Sequence, residues 1–495
     1  MEAPSHVPST AVSGITSMLL NYDILFEVLN VLTDTSSRRD IWRLACTCRT
    51  LYKKGIALML GELVWIPDHQ LISFCLFMLS DLSRCKYIRR LSTTAFEPPE
   101  PAILAAMSEI LRRCHNISDL TINAGFLQAD PRILDAITSL RNVTKLSVGP
   151  VSPIIKLLAQ NMQSPVRTVY LWGNDGSGEG FIPLLAGFQD TLEEVRGREI
   201  GWGQSDGELY PQLDSVYLDL WKEDKKLINL VLAAPCLSNL YGFNVGGVAL
   251  PDPVVNETRL ENLMDQQWLS WPSLEYMCMS VENMHALAPT CHIRNLHFIA
   301  TPTTENDLQR YETILASASP VSIIIMPQSY EEVVALDPLF ARTPGTVEEL
   351  DVDIRFYEEG EDMDEFPVAQ TIDAVVNALH RIPALVSFTL HITLDNEDVF
   401  MVADLTDREH GEEGVDLIPP PTRSTMPVPP LDHDALALRI ANVLPNLKYL
   451  SFFSIHERKD SYYHWTVEHR GGNAHVTKVP ESDLLWEPAV NSADY

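Results

Sequence analysis

The sequence predicts an α/β fold, with a short three-helix domain at the N-terminus followed by an irregular solenoid of strand–helix units. Two observations predict this. A six-residue apolar pattern that is typical of short strands recurs from Ile117 onwards, and helix-like stretches separate its copies. Before that region, about 50 residues carry apolar side chains at the spacing of short helices.

Composition argues against several classes of protein. The chain has 495 residues, of which 46% are hydrophobic, and its formal net charge is −31. This apolar content is too high for a largely disordered chain, and polyanions such as nucleic acids would be repelled. No apolar run approaches the roughly 18–20 residues that span a bilayer, and Glu2 is followed by no signal-peptide core. We therefore expect a cytoplasmic or nuclear protein that binds neither nucleic acid nor membrane.

The repeated pattern is an apolar residue, two spacers, an apolar residue, one spacer and a third apolar residue. Between Ile117 and Leu237 its copies begin 21 to 26 residues apart, a spacing typical of leucine-rich repeats. The copies are Ile117/Leu120/Ile122, Val143/Leu146/Val148, Val166/Val169/Leu171, Leu213/Val216/Leu218, Leu274/Met277/Met279, Ile293/Leu296/Phe298, Val321/Ile324/Met326, Val347/Leu350/Val352, Leu385/Phe388/Leu390 and Leu447/Leu450/Phe452, with partial copies at Leu192/Val195 and Leu237/Leu240.

Helix-like stretches such as Pro153–Ala159 and Thr371–His380 lie between the copies, so one unit consists of a helix, a turn and a strand. Each unit leaves an apolar face that only its neighbours can cover, which predicts a leucine-rich-repeat solenoid with the shape of a horseshoe. The alternative is an ordinary α/β domain, which would not require near-constant spacing.

Later units are widely spaced, which indicates insertions. Glu348–Glu365 and Asp395–Asp416 are acidic, and Ile418–Pro430 is rich in proline, so we expect solvated loops and an extended linker there. Alternating apolar residues from Tyr463 to Val467, followed by Arg470-Gly471-Gly472-Asn473, predict a hairpin that covers the open end of the array.

Two short amphipathic helices are predicted near the N-terminus. Asn21 can cap the first, in which Ile24, Leu25 and Val28 belong to the apolar stripe. Asp40 can cap the second, with Leu44 in its stripe. These stripes can pack against one another as a small cap, or part of them can face a partner protein, because about 50 residues cannot bury so broad a stripe alone.

Two segments here resemble the F-box family. Leu20–Leu32 is similar to the first F-box helix, with Asn21 where the family usually has proline, and Asp40–Leu51 is similar to the second block, written DLxxLAxTCRxL in many members. Trp65 lies near the aromatic residue that often closes the motif. The resemblance implies binding to a Skp-family adaptor, and through it to a cullin ligase. It assigns the adaptor contact to Leu20, Asn21, Ile24, Leu25, Val28 and Leu44.

This interpretation divides the chain into five segments. We expect a disordered tail over 1–13, an F-box-like helical domain over 14–67 and a helical linker or cap over 68–115. A leucine-rich-repeat-like solenoid then covers 116–456, and a hairpin cap with a tail covers 457–495. Divergent repeat arrays behind an F-box are known in many fungal proteins, and the likeness there is one of architecture.

A candidate binding strip lies on the predicted concave face. The spacer before the last apolar residue of a strand points away from the core, because strand side chains alternate. In four consecutive units this position holds Tyr170, Arg196, Tyr217 and Tyr241. Tyr and Arg often dominate protein interfaces, although Tyr also suits strands for structural reasons. We predict a substrate-binding strip, and chance on a tolerant surface remains the alternative.

Motifs for catalysis and metal binding are poorly represented. The Gly-rich segment Gly173–Gly180 has no lysine for a phosphate and carries two acids, so it predicts a turn. Cys278, His285, Cys291 and His292 have no standard zinc spacing, and neither G-x-S-x-G nor H-E-x-x-H occurs. We therefore predict no catalytic residue, no metal and no cofactor.

Three functional hypotheses follow from the sequence. The first is the substrate-recognition subunit of an SCF-type E3 ubiquitin ligase, in which the repeat array holds a protein substrate and the chain does no chemistry itself. The second is a protein-interaction scaffold outside ubiquitination, in which the N-terminal helices only cap the solenoid. The third is an enzyme with an unrecognised site.

Overall fold

A computed structural model describes most of the chain. The described residues are 25, 27–29, 31, 38–61, 63–93, 99–173, 180–198, 200–205, 207–219, 226–243, 252–357, 368–395, 432–456 and 459–480. The predicted tail over 1–13, the adaptor residues Leu20, Asn21 and Ile24, and the proline-rich segment Ile418–Pro430 lie outside them.

The fold is mixed α/β, and its strands form one mostly parallel sheet. Within the described residues the sheet has 16 strands in chain order; β1 to β14 run parallel, and β15 and β16 are antiparallel. The strands are β1 Leu63–Ile66, β2 Arg90–Thr93, β3 Asp119–Asn123, β4 Lys145–Gly149, β5 Thr168–Leu171, β6 Glu194–Gly197, β7 Ser215–Asp219, β8 Asn239–Phe243, β9 Ser273–Met279, β10 His292–Phe298, β11 Ser322–Ile325, β12 Glu349–Tyr357, β13 Ser387–Asp395, β14 Tyr449–His456, β15 Lys459–Arg470 and β16 Asn473–Lys478.

Helices connect most of the successive parallel strands. Residues 25, 27–29 and 31 are helical. The helices that follow are α1 Arg38–Ala45, α2 Arg49–Gly61, α3 Leu71–Leu79, α4 Pro101–Arg113, α5 Ala124–Ala129, α6 Pro131–Thr138, α7 Pro153–Asn161, α8 Phe181–Leu184, α9 Leu227–Ala233, α10 Asp252–Gln266, α11 Val281–Leu287, α12 Glu305–Ala318, α13 Tyr330–Val334, α14 Leu336–Phe340, α15 Val368–Leu379 and α16 His433–Val443. Short 3₁₀ helices span Asp68–Gln70, Leu82–Tyr87 and Ala186–Phe188.

Polar residues placed before several helices fix where those helices begin. Each accepts a hydrogen bond from a backbone N–H two or three residues later, which satisfies a donor that the helix itself leaves unpaired. These caps are Asn123 for α5, Asp130 for α6, Ser280 for α11, Thr304 for α12, Ser329 for α13 and Asp432 for α16.

The predicted apolar pattern corresponds to the buried side of the strands. Leu120 of β3 is aligned with Leu146 of β4 and Val169 of β5, and all three are at most 1% exposed. Together with the inward residues of the helices they form one continuous core that runs from α2 to β16. The helices therefore cover one face of the sheet. The opposite face is called the open face below.

The predicted register is wrong in β11. The sequence pattern assigned Val321, Ile324 and Met326 to the core, but Ile323 and Ile325 are the fully buried residues, at 0% exposed. Nearly every residue from Val321 to Met326 is apolar, so the alternation that defines the inward side is lost. A shift of one residue moves every side chain of a strand to the other face.

The sheet also begins earlier than the sequence predicts. β1 lies inside the segment predicted as F-box-like, and β2 lies inside the predicted helical linker. In β2 the third core position is Thr93, which is 1% exposed and takes the place of an apolar residue. The apolar pattern therefore misses this unit, although Ile88 and Leu91 occupy the first two positions and are buried.

Backbone hydrogen bonds repeat at the entry to each strand. The carbonyl of Arg89 accepts hydrogen bonds from the amides of Ser118 (2.8 Å) and Asp119 (3.1 Å) in the next unit. The carbonyl of Ser118 in turn accepts from Thr144 (2.8 Å) and Lys145 (3.0 Å). The same arrangement continues along the sheet, so each unit is attached to its neighbour by backbone contacts that do not depend on sequence.

The C-terminal hairpin is confirmed. β15 and β16 are antiparallel, with Arg470 opposite Asn473, and Gly471 and Gly472 between them have φ of 60° and 87°. Positive φ at both central residues suits the twist of a two-residue hairpin and favours glycine. Trp465 of β15 is buried, and its Nε1 donates to the carboxylate of Asp434 on α16 at 3.0 Å.

The N-terminal helices have a small core of their own. Leu29, Ile41 and Leu51 are buried together, separately from the main core. The other side of α2, through Ile56 and Leu60, belongs to the main core beside β1. Helix α2 therefore joins the N-terminal helices to the sheet. Among the described residues, no helix combines the length and the apolar character needed to cross a bilayer.

Candidate protein-binding surfaces

The four residues of the predicted strip lie side by side on the open face. Tyr170 of β5 is aligned with Arg196 of β6, Arg196 with Tyr217 of β7, and Tyr217 with Tyr241 of β8. This placement follows from the near-constant length of the units, which aligns the same pattern position on consecutive strands. The sequence therefore located the row, and the structure gives its contacts.

The central residues of the row contact one another directly. The rings of Tyr217 and Tyr241 are stacked, with centroids 4.0 Å apart and planes at 13°. On the other side of Tyr217, the guanidinium carbon of Arg196 lies 4.8 Å from the ring centroid. Arg196 Nε also donates to Glu194 Oε1 at 2.7 Å, which fixes the guanidinium in place. The attraction between a cation and the face of an aromatic ring is stronger when the cation is partly desolvated.

Two further residues extend the strip and were not predicted. The ring of Tyr276 lies 4.7 Å from that of Tyr241, and its hydroxyl is 2.6 Å from Nδ1 of His297. Tyr276 lies two residues before the spacer position of β9 that the predicted row would use. Because strand side chains alternate, Tyr276 is on the open face with that position. We call Tyr217, Tyr241, Tyr276 and His297 the aromatic strip.

Members of the row differ in their accessibility. Tyr170 is 37% exposed and stacks on Trp172, with ring centroids 5.8 Å apart. Tyr241 is only 4% exposed, since its neighbours on both sides cover its ring. Tyr241 is therefore enclosed within the row, whereas Tyr170, Tyr217 and Tyr276 keep accessible surface on the open face.

An acidic groove of about 520 Å³ adjoins Tyr217. Three carboxylates line it, those of Glu193, Glu194 and Asp214. Glu193 and Glu194 contact Arg167 and Arg196, whereas Asp214 accepts hydrogen bonds from the neutral Ser215 hydroxyl (2.9 Å) and the Asn239 amide (3.0 Å). The groove thus joins an aromatic ring to carboxylates, which is suitable chemistry for a lysine or arginine side chain.

A second polar cluster lies on the open face near the C-terminus. His391 Nε2 is 3.4 Å from Asp351 Oδ2, so part of the predicted acidic loop belongs to strand β12. His464 Nδ1 is 2.8 Å from the Ser451 hydroxyl, and burial, together with the charge of His391, lowers the pKa of His464. In the part of the chain that the structure describes, no three His, Cys, Asp or Glu side chains are arranged to hold a metal ion.

At the N-terminal end, apolar side chains remain at the surface of the small core. Of the predicted adaptor residues, Leu25 and Leu44 are half-buried against that core and Val28 is 42% exposed. Val31 and Trp42, which were not predicted, are 58% and 41% exposed. Three large apolar side chains are therefore exposed next to residues that are buried in the small core.

The N-terminal helices contact the first helices that connect the strands. The Trp42 ring packs edge-on against Tyr52 of α2, with centroids 6.1 Å apart. Tyr52 accepts a hydrogen bond from Arg84 Nη2 at 3.3 Å, and the Arg84 guanidinium lies 4.0 Å from the centroid of the Phe77 ring on α3. A chain of contacts thus runs from the exposed apolar surface to helix α3.

The sequence matches no protein-family model and no curated protein.

Proposed function

We propose that this protein is the substrate-recognition subunit of an SCF-type E3 ubiquitin ligase. In this proposal the N-terminal helices form an F-box-like domain that binds a Skp-family adaptor, and the array is a divergent leucine-rich-repeat solenoid that holds a protein substrate on its open face. The chain acts by raising the concentration of the substrate beside the enzyme that transfers ubiquitin.

The exposed apolar side chains at the N-terminal end carry this proposal. Val28, Val31 and Trp42 are exposed, although Leu29 and Ile41, their neighbours in the sequence, are buried in the small core. Contiguous exposed apolar residues commonly mark a surface that a second protein covers. Their position agrees with the two segments that resemble the F-box helices.

Substituting two of these residues tests the adaptor contact. We expect Val28→Asp with Val31→Asp to weaken binding to a purified Skp-family adaptor by about 100-fold, since burying two valine side chains contributes about 3 kcal/mol. Both residues are exposed, so the fold is expected to be retained. The affinity is measured by titration calorimetry on the full-length protein.

Leu157→Asp with Leu232→Asp is the matched control. These residues are 48% and 49% exposed on helices of the array, and the double variant is expected to bind the adaptor as wild type does. Absence of adaptor binding by the wild-type protein, or equal binding by all three proteins, contradicts the assignment.

The aromatic strip, with Arg196 beside Tyr217, is the proposed contact with the substrate. We expect Tyr217→Ala with Arg196→Ala to weaken substrate binding by about 30-fold, because interface Tyr and Arg residues commonly contribute about 2 kcal/mol or more. The variant and the wild type are purified from cells in which the proteasome is inhibited, and the proteins recovered with them are quantified by mass spectrometry. Substrates are lost while the adaptor is retained.

Tyr449→Ala provides the control for this experiment. Tyr449 is 57% exposed on β14, at the far end of the sheet, and its removal takes away the same side chain without touching the strip. Recovery of the same proteins with the strip variant and with the wild type contradicts a role of the strip in binding.

A scaffold outside ubiquitination is the second candidate, and one observation favours it. Ile56 and Leu60 of α2 belong to the main core, so the N-terminal helices also cover the end of the array. Deleting residues 1–67 cannot separate the two functions, because it removes β1 and this part of the core in either case. The Val28/Val31 double variant separates them, since a purely capping domain requires no adaptor.

A further inference from the structure

The amphipathic character of helix α10 is inverted in its C-terminal half. Its outward side chains Leu260 and Met264 are 63% and 65% exposed, and Trp268, just beyond the last turn, is 89% exposed. Positions four residues apart lie on one side of a helix, so these three side chains form a continuous apolar stripe. A surface helix normally turns its apolar stripe towards the core.

Val255 is buried near the start of α10, but towards the C-terminal end the buried side chains of the helix are polar and hydrogen-bonded. Asn262 is 1% exposed; its amide donates to the carbonyl of Ala286 and its oxygen accepts from the amide of Leu227, both at 2.9 Å. Gln266 is 7% exposed and donates to the carbonyl of Leu287 at 3.1 Å. These bonds satisfy carbonyl groups at the end of α11 that lack partners within that helix. Specific hydrogen bonds therefore attach α10 to the array, and the apolar stripe is not needed for packing.

Acidic residues accompany the apolar stripe. Glu257 and Glu261 lie four residues apart on this side of α10, and both are exposed. Arg259, the helix's basic residue, turns inward and donates to the carbonyl of His285 at 2.9 Å. The stripe is thus flanked by negative charge, in a chain whose formal net charge is −31. A second copy of this chain would bring like charges together, whereas a basic partner would neutralise them.

We propose that this side of α10, defined by Leu260, Met264, Trp268, Glu257 and Glu261 and called the α10 surface, binds an amphipathic helix of another protein. The bound helix has an apolar stripe flanked by lysine or arginine. Laying such a stripe against apolar anchors is a common mode of helix recognition, and an exposed tryptophan is a typical anchor. The α10 surface is on the helix-covered side of the sheet, away from the aromatic strip, and does not depend on the ligase proposal.

Synthetic helices test this proposal on the full-length protein. Two fluorescent 18-residue peptides share one leucine stripe, and their remaining positions carry lysine in one peptide and glutamate in the other. Binding is measured by fluorescence anisotropy at physiological ionic strength. We expect the lysine peptide to bind at least about 10-fold more tightly than the glutamate peptide, and Met264→Ala with Trp268→Ala to weaken it at least about 10-fold.

Two controls have matched chemistry elsewhere in the chain. Ile72→Ala with Leu76→Ala removes side chains on α3 that are 56% and 65% exposed, and is expected to leave binding unchanged. Glu257→Gln with Glu261→Gln should weaken the lysine peptide several-fold, whereas Glu331→Gln with Glu332→Gln on α13, with the same change in net charge, should not.

Several results overturn the proposal. These are no binding of the lysine peptide to the wild type, equal binding of the two peptides, or equal losses in the α10 variants and their controls. Sedimentation of the wild type as a dimer and of the variant Met264→Ala with Trp268→Ala as a monomer also overturns the proposal. In that case the α10 surface binds a second copy of the chain.

Discussion

Gly187→Ala is expected to lower the free energy of unfolding by about 3 kcal/mol or more. Gly187 lies in the 3₁₀ helix Ala186–Phe188 and faces α7 of the preceding unit. A Cβ atom there would lie 2.1 Å from the carbonyl oxygen of Ala159 and 2.3 Å from its carbonyl carbon. These are backbone atoms, which cannot rotate away as a side chain can. The two units would have to separate.

Gly345→Ala is the matched control for that substitution. No heavy atom lies within 4 Å of the Cβ position at Gly345, so we expect the free energy of unfolding to change by no more than about 0.5 kcal/mol. Alanine lowers the conformational entropy of the unfolded chain, and this effect alone would increase the free energy of unfolding. Both variants are compared with wild type by urea unfolding followed by circular dichroism. Equal unfolding midpoints for the two variants would contradict the close approach of the units.

Acidification is expected to destabilise the protein through His285. This side chain on α11 is 8% exposed, and burial, with the charges of Arg259 and Arg310, lowers its pKa to about 4. The unfolded chain binds a proton with a pKa near 6.5, so between pH 6.5 and pH 4 only the unfolded state takes up this proton. Stability contributed by the neutral histidine is therefore complete above pH 6.5 and is lost as the pH falls to 4, by about 3 kcal/mol.

His285→Leu isolates this contribution from that of the many carboxylates. The variant should lose less stability than the wild type between pH 7.5 and pH 4.5, whereas His115→Asn, at an exposed turn before β3, should follow the wild type. Asp252 and Asp307, which pair with Arg310, remain in all three proteins. Urea midpoints at each pH give the comparison. Parallel curves for wild type and His285→Leu would show that the buried histidine is not the group responsible.

Alternation of apolar and polar residues decided how much of the sheet could be predicted. Where polar spacers separate the apolar residues, as around Leu120 and Val216, the predicted inward side chains are the buried ones. Where nearly every residue is apolar, as in β11, the inward side cannot be chosen from the sequence. Where a polar residue is buried, as Thr93 is, the pattern does not register a strand. Packing against the neighbouring unit determines the side in both cases.

The candidate binding surfaces were predicted in part for a related reason. The row from Tyr170 to Tyr241 follows from applying one pattern position to consecutive units. Tyr276 was missed because it occupies the other spacer, although the same alternation places it on the same face. The α10 surface could not be predicted, because the helix packs through Asn262 and Gln266, and the usual rule assigns the core to apolar side chains.

The packing of α2 against the start of the sheet also sets a distance between the N-terminal helices and the surfaces farther along the array. Because Ile56 and Leu60 of α2 and Ile66 of β1 belong to the same core, helix α2 is packed against the start of the sheet. Each strand step is about 4.8 Å, so β7 to β10, which carry the aromatic strip, lie about 29–43 Å along the sheet from β1. A protein bound to the aromatic strip would therefore lie at a defined distance from a protein bound to the N-terminal helices. In a ubiquitin ligase, that distance would determine which lysines of the bound substrate can approach the enzyme that transfers ubiquitin.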